Sequence, residues 1–141
     1  MEHPELHSDI LLPSPDVEVK IEKASISWYE PDGIYCSVGY KNPPEVTMEE
    51  MQQQVEKWMV EKKGEKICWL TVVDGKQQSS KEMRDYLAEV LPKTIKAMGL
   101  IATSMLARMA ANLFFKIKKQ DYPVKVFKNP EEAKAWLRQY L

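Results

Sequence analysis

Residues Ile67 to Val73 read ICWLTVV, an apolar run with no alternation. A strand with apolar side chains on both faces belongs in the middle of a sheet that is covered on both sides. That segment is expected to be the central strand of the fold. It also demands neighbours that can pair with the strand and helices that can cover it.

The flanking sequence supplies both. Upstream, Ala24, Ile26 and Trp28 alternate with Ser25, Ser27 and Tyr29, and Ile34, Cys36, Val38 and Tyr40 alternate in turn. Glu30-Pro31-Asp32-Gly33 lies between the two runs. Proline fixes φ and glycine supplies positive φ, so the pair reads as an antiparallel hairpin. Val17, Val19 and Ile21 add an extended segment ahead of it.

Helices follow in register with the strands. Thr47-x-x-Glu50 is a capping box before Met51, Val55, Trp58 and Met59, and Lys62-Lys63-Gly64 closes that helix. Ser79-x-x-Glu82 reads as a second capping box, before Met83, Tyr86, Leu87 and Val90. Pro92 ends or kinks this helix, leaving room for a short helical piece around Lys93 to Met98. Gly99 to Ala102 is a short buried strand. Thr103-Ser104 opens a third helix, with Leu106, Met109, Ala110, Leu113, Phe114 and Ile117 expected inward. Val124 to Phe127 is a last strand, and Asn129-Pro130-Glu131-Glu132 starts a last helix carrying Ala133, Trp136, Leu137 and Tyr140.

The order β-β-α-β-α-β-α-β-α specifies an α/β fold. It predicts a mixed, mostly parallel sheet of about five strands, an N-terminal antiparallel hairpin and about four helices. Residues 1–16, marked by Pro4, Pro13 and Pro15, read as a flexible arm, and 17–141 as a single domain. At 141 residues with 44% hydrophobic content, the chain is long enough for one core.

Composition excludes more than it assigns. With 20 Lys+Arg against 21 Asp+Glu, no global basic field exists to hold nucleic acid. Its two cysteines form neither a disulfide framework nor a four-cysteine zinc site, and both sit among apolar neighbours as small buried side chains. The only histidines are His3 and His7, in the arm, so a serine- or cysteine-nucleophile mechanism lacks a base in the body of the chain. The expectation is a protein without catalytic residues, metal or cofactor. The opening segment has no basic start and no long apolar run, and no stretch has membrane-spanning length, so the expected location is the cytoplasm.

In open parallel sheets, ligands sit beyond the carboxyl ends of the strands. Here those ends are Asp74-Gly75, leading to Ser79 and Ser80, and Ala102, leading to Thr103 and Ser104. Helix N-termini there favour anions, and the hydroxyls add donors. Ordinary helix capping accounts for the same residues. Between 104 and 128, Arg108, Lys116, Lys118, Lys119, Lys125 and Lys128 stand against Asp121 alone. That basic stretch suits either a solvated face or contact with acidic lipid or an acidic partner. Met48, Met51, Met59, Met83, Met98, Met105 and Met109 fall mostly on the helical stripes, where core filling is the expectation.

Two stretches carry a family resemblance. One is Trp69-Leu70-Thr71-Val72-Val73-Asp74-Gly75, leading into Ser79-Ser80. The other runs from Asn112-Leu113-Phe114-Phe115-Lys116-Ile117 through Tyr122-Pro123-Val124-Lys125-Val126-Phe127 to Asn129-Pro130-Glu131-Glu132-Ala133-x2-Trp136-Leu137. On these, Lys23 to Leu141 resembles small bacterial STAS-like domains, the fold named for sulfate transporters and anti-sigma-factor antagonists. The resemblance implies a superhelix of β-α turns with roughly sequential strand order. It also implies a phosphorylatable serine at the start of the helix after the central strand, where Ser79 and Ser80 stand. The Asp-Ser-Ser-Gly-Leu signature of the antagonists is replaced by Gln77-Gln78-Ser79-Ser80-Lys81.

The leading expectation is thus a non-enzymatic regulatory or protein-interaction module with a protein partner. Its site would be Asp74, Gly75, Ser79, Ser80, Thr103 and Ser104, with a homodimer as one arrangement. The alternative is a carrier for a small apolar ligand or lipid, by fold-level likeness to CRAL-TRIO domains. Its cavity would be lined by residues such as Phe114, Met109 and Trp136.

Overall fold

The computed structural model describes residues 3–74, 80–117 and 121–141, without the side chains of 114–117. Its elements are β1 (Lys20–Ile21), β2 (Ser25–Tyr29), β3 (Tyr35–Gly39), α1 (Met48–Glu61), β4 (Ile67–Val72), α2 (Lys81–Thr94), β5 (Ile95–Ile101), α3 (Met105–Ile117), β6 (Val124–Phe127) and α4 (Pro130–Leu137), closed by a 3-10 turn at Arg138–Tyr140. The six strands form one mixed sheet in the order β1-β2-β3-β4-β5-β6. The first two pairings are antiparallel, and those from β3 to β6 are parallel. This is the α/β architecture expected from the sequence, with the short β1 as the sixth strand.

Sequential parallel strands joined by right-handed crossovers place their helices on one face. α1, α2 and α3 cover that side, over a core that includes Tyr35, Val55, Trp58, Ile67, Ile95, Met98, Leu100 and Ala111. The other side is covered by α4 and by the N-terminal segment. There Ile26, Trp28, Val38, Leu70, Ala97, Ile101, Ala133 and Leu137 form a second core. β4 sits between the two, as its unbroken apolar run requires.

Residues 3–19, read from sequence as a flexible arm up to residue 16, are packed on the domain. Leu6 bridges Tyr40 in antiparallel fashion, and the His7 amide donates to the Gly39 carbonyl at 3.0 Å. Leu11 is 1% exposed, and Leu6, Ile10, Val17 and Val19 pack around the same core. Covering the second face of the sheet takes apolar surface that α4 alone is too short to supply.

The hairpin turn and α4 hold each other. Gly33 adopts φ 102°, and its amide donates to the Glu30 carbonyl at 2.8 Å. Lys134 Nζ lies 2.7 Å from Glu30 Oε1, largely shielded from solvent, and Arg138 Nε lies 2.9 Å from Asp32 Oδ2. Burial pushes the Asp32 carboxyl up, but the Arg138 hydrogen bond, the Ile34 amide and the guanidinium charge together hold it below its ordinary value. α4 approaches β5 closely at Gly99, where an added Cβ would lie 3.3 Å from both Leu137 Cδ1 and Leu70 Cδ1.

Two sequence expectations fail here. The helical piece at Lys93 to Met98 is absent. Pro92 lies in the last turn of α2, and β5 begins at Ile95 with no intervening loop. The strand is longer than expected because Ile95 and Ala97 are fully buried and the parallel pairing with β4 starts at Ile67↔Ile95.

α3 is rotated relative to its expected phase. Ala107 and Ala111 face the sheet, whereas Leu106, Met109, Ala110 and Leu113 are exposed. Alanine permits close approach of the helix to the large side chains Met98, Leu100 and Tyr122 beneath it. The methionines follow suit. Met98 is buried, while Met59, Met105 and Met109 are not core residues.

Leu137→Ala is expected to destabilise the fold by about 2–5 kcal/mol, since the buried site next to Gly99 cannot collapse onto a missing side chain. Lys134→Ala is expected to cost about 1–3 kcal/mol by leaving Glu30 shielded and unpaired. The exposed Val60→Ala should stay within about 0.5 kcal/mol. Urea denaturation read by far-UV circular dichroism measures all three.

Candidate functional site

The two strand ends proposed from sequence share one edge of the sheet. Val72 is paired with Ile101, and the Val73 amide donates to the Ile101 carbonyl at 2.8 Å. Asp74 is half-buried just beyond, and Thr103 and Ser104 are exposed. Ser80 Oγ accepts from the Met83 amide at 3.1 Å, and Ser104 Oγ accepts from the Ala107 amide at 3.0 Å. Both serines are therefore helix caps. The expected Ser79–Glu82 box is replaced by a cap one residue later, at Ser80. Gly75 and Ser79 lie outside the described residues.

On the helical side of the same sheet is a concavity that the sequence did not reveal. Inward positions on β2, β3 and β4 would ordinarily carry large apolar residues. Near this edge they carry Ser25, Ser27, Ser37 and Thr71 instead. α1 covers the other half of these strands with Val55 and Trp58, which pack with Tyr35 and Ile67. Where the side chains shrink to hydroxyls, a groove of about 410 Å³ opens between α1 and the strands.

Its walls are aromatic and its floor is polar. Tyr35, Trp58 and Trp69 form a triangle with ring centroids 5.5, 5.6 and 6.2 Å apart. Met51 and Val46 extend the apolar wall toward the start of α1. On the floor, Trp69 Nε1 donates to Ser37 Oγ at 2.9 Å, Ser37 Oγ lies 3.1 Å from Thr71 Oγ1, and Thr71 Oγ1 donates to the Ser37 carbonyl at 2.9 Å. Burial holds the Tyr35 hydroxyl far above its ordinary pKa, outweighing its hydrogen bonds with Ser27 and Trp58.

The rim carries Glu22, Lys23, Glu50, Gln53, Gln54 and Lys57, two charges of each sign. Lys23 Nζ lies 2.7 Å from Glu50 Oε1. Glu50 also closes the capping box: its Oε1 accepts from the Thr47 amide, and the Glu50 amide donates to Thr47 Oγ1, each at 3.1 Å. The Lys23 hydrogen bond, followed by those from Thr47, holds the Glu50 carboxyl down at about 2. One carboxylate thus fixes both the start of α1 and the mouth of the groove.

Ser37 and Thr71 are hydrogen-bonded to each other, and Glu50 is committed to Lys23 and the helix cap. No group of three or more metal-ligating side chains occurs among the described residues. Cys36 and Cys68 are buried, and burial pushes the Cys36 thiol up to about 12 and raises that of Cys68. The cavity residues expected for a lipid carrier are not brought together. Met109 is exposed on α3, Trp136 packs against Phe127 and Tyr140 under the opposite face, and the Phe114 side chain lies outside those described. Of the basic stretch, Arg108, Lys125 and Lys128 are exposed, and the Lys116 side chain, Lys118 and Lys119 lie outside the described residues.

Comparison with known families places nearly all of this architecture in one of them. The model for Domain of unknown function (DUF7793) matches residues 27–141, from within β2 to the end of the chain. The chain belongs to that family. No curated protein and no solved structure matches it. The match takes in β3, β4 and α1, and therefore most of the groove, but only the end of the segment that carries Glu22, Lys23 and Ser25. Among the described residues, no helix is long and apolar enough to cross a membrane.

Two measurements check this chemistry. Glu50 has its pKa lowered in the folded state, so its contribution to stability is present above the ordinary carboxylate range and lost as pH falls toward about 2. Glu50→Gln should reduce stability at neutral pH and flatten that acid limb, and Thr47→Ala should cost about 1 kcal/mol. A thiol-disulfide reagent should label neither cysteine in the native state and both after unfolding, because burial keeps the thiols protonated and out of reach.

Proposed function

We propose that the protein is a non-enzymatic binding module that holds a small, uncharged, amphipathic molecule in the groove between α1 and β2–β4. The observation that carries this reading is the groove's construction, with aromatic walls over a hydroxyl-lined floor. Its volume falls in the range of small-molecule sites, roughly 300–1,000 Å³, which combine apolar walls with a few placed polar groups. The Trp58 and Trp69 rings favour a flat apolar body, whereas Ser25 and Ser37 favour a hydroxyl or carbonyl on it. Balanced rim charges favour a neutral ligand over an anion or a cation.

The resemblance to STAS-like domains supports a regulatory role for such binding by fold-level analogy. The proposed setting is the cytoplasm, where both thiols stay reduced. A second reading keeps the regulatory surface at the sheet edge. It is supported by the paired ends of β4 and β5, which send the Ser80 and Ser104 caps out from the same side. In that reading a protein partner docks there, and phosphorylation at Ser79 or Ser80 would alter the surface.

Titration with 2-naphthol, a flat uncharged aromatic alcohol, separates the two. Saturable shifts of the Trp58 and Trp69 indole NH signals in NMR spectra are expected. Gln54→Trp, which fills the groove from its half-buried rim, should abolish them without unfolding the protein. Absence of saturable shifts, or shifts unchanged in Gln54→Trp, would refute the groove reading. Partner binding that Ser80→Asp abolishes and Gln54→Trp preserves would favour the edge.

A further inference from the structure

The outer side of α3 is apolar where a surface helix is ordinarily polar. Met105, Leu106, Met109 and Leu113 are 78%, 59%, 62% and 60% exposed. At 3.6 residues per turn, Met105, Met109 and Leu113 lie nearly opposite Ala107 and Ala111, which face the sheet. The stripe therefore points directly away from the molecule. The four side chains open on the order of 500 Å² of apolar surface, near the top of the range a monomer leaves uncovered.

We propose that this face is covered by α3 of a second copy of the chain, packed antiparallel across a two-fold axis at Met109. The spacing is self-complementary. Met105 and Leu113 each lie four residues from Met109, so an antiparallel copy sets Met105 against Leu113 of the second copy and Met109 against its own counterpart. Such i±4 ridges are the ones that interdigitate in the commonest class of helix pair. Ala110, exposed beside Met109, allows the backbones to approach at the axis.

The helix sequence MLARMAANLFFKI contains no acid, and its cation nearest the axis, Arg108, lies at the rim of the pairing on the same flank as Arg108 of the second copy, so association should strengthen as salt is raised. Two such faces bury on the order of 1,000 Å² in total, the lower bound for a specific interface, so the dimer is a weak one. The surface lies away from the groove residues of α1 and β2–β4 and does not depend on what the groove holds.

Sedimentation velocity over a micromolar-to-millimolar concentration series tests the assignment. The mass should rise from 16.4 kDa toward twice that value. Met109→Asp should weaken association at least about tenfold while leaving thermal stability unchanged, because the residue is exposed in the monomer. Met109→Cys should crosslink to itself on mild oxidation, whereas Val60→Cys, exposed on α1, should not. Both native cysteines are buried and silent in this assay. A monomer at every concentration, a dimer unaffected by Met109→Asp, or equal crosslinking at positions 60 and 109 would overturn the proposal. So would a monomeric protein that instead floats with phosphatidylcholine–phosphatidylglycerol vesicles, since the stripe would then be a lipid-contacting face.

Discussion

The parallel pairing of β4 with both of its neighbours is the constraint on which the molecule is built. A strand buried on both faces has no solvent to satisfy its amides and carbonyls, so β3 and β5 must run in register along it. That register brings the ends of β4 and β5 to one edge, sends α1, α2 and α3 across one face, and leaves the other to be closed by different means. α4 is two turns long and covers part of it. The N-terminal segment covers more, with Leu11 fully buried among the residues of β2 and β3. A chain that lost this segment would expose a core, not merely shorten a tail.

The groove follows from the same sheet by subtraction. Alternation on β2, β3 and β4 sends every second side chain toward α1. Over half of that surface those positions are aromatic or aliphatic, and the helix packs down on them. Over the other half they are serine and threonine, too small to reach the helix and too polar to be left dry without partners. The Trp69–Ser37–Thr71 chain satisfies two of them internally and Ser27 meets Glu22, so a hollow with a polar floor persists. The Thr47–Glu50–Lys23 cluster pins the helix start beside it.

Much of the fold was legible from local signals. Unbroken apolar runs, Pro-Asp-Gly, Thr-x-x-Glu and Asn-Pro-Glu-Glu each act over a few residues, and the elements they specify are present. The Ser79–Glu82 pattern was equally well formed, but the helix is capped one residue later, by Ser80. The groove was not legible. Ser25, Ser37 and Trp69 are far apart in the chain and individually ordinary. Only the strand register sets them side by side, and an alternating serine on a strand reads as a solvent-facing residue until a helix is known to lie over it.

α3 marks the boundary between the two kinds of information. Its sequence determined that a helix forms after Thr103-Ser104, but its apolar period pointed to Leu106, Met109, Ala110 and Leu113 as the inward face, whereas Ala107 and Ala111 hold that position. Periodicity assigns residues to a stripe but does not say which stripe faces inward. That was decided by the sheet, where Met98, Leu100 and Tyr122 already fill the space above β5 and β6 and leave room only for a methyl group. By itself the chain fixed the order and type of its elements, because capping, turn geometry and apolar period are local. The concave and exposed surfaces belong to the tertiary structure, because they depend on how large side chains from distant segments compete for the same volume.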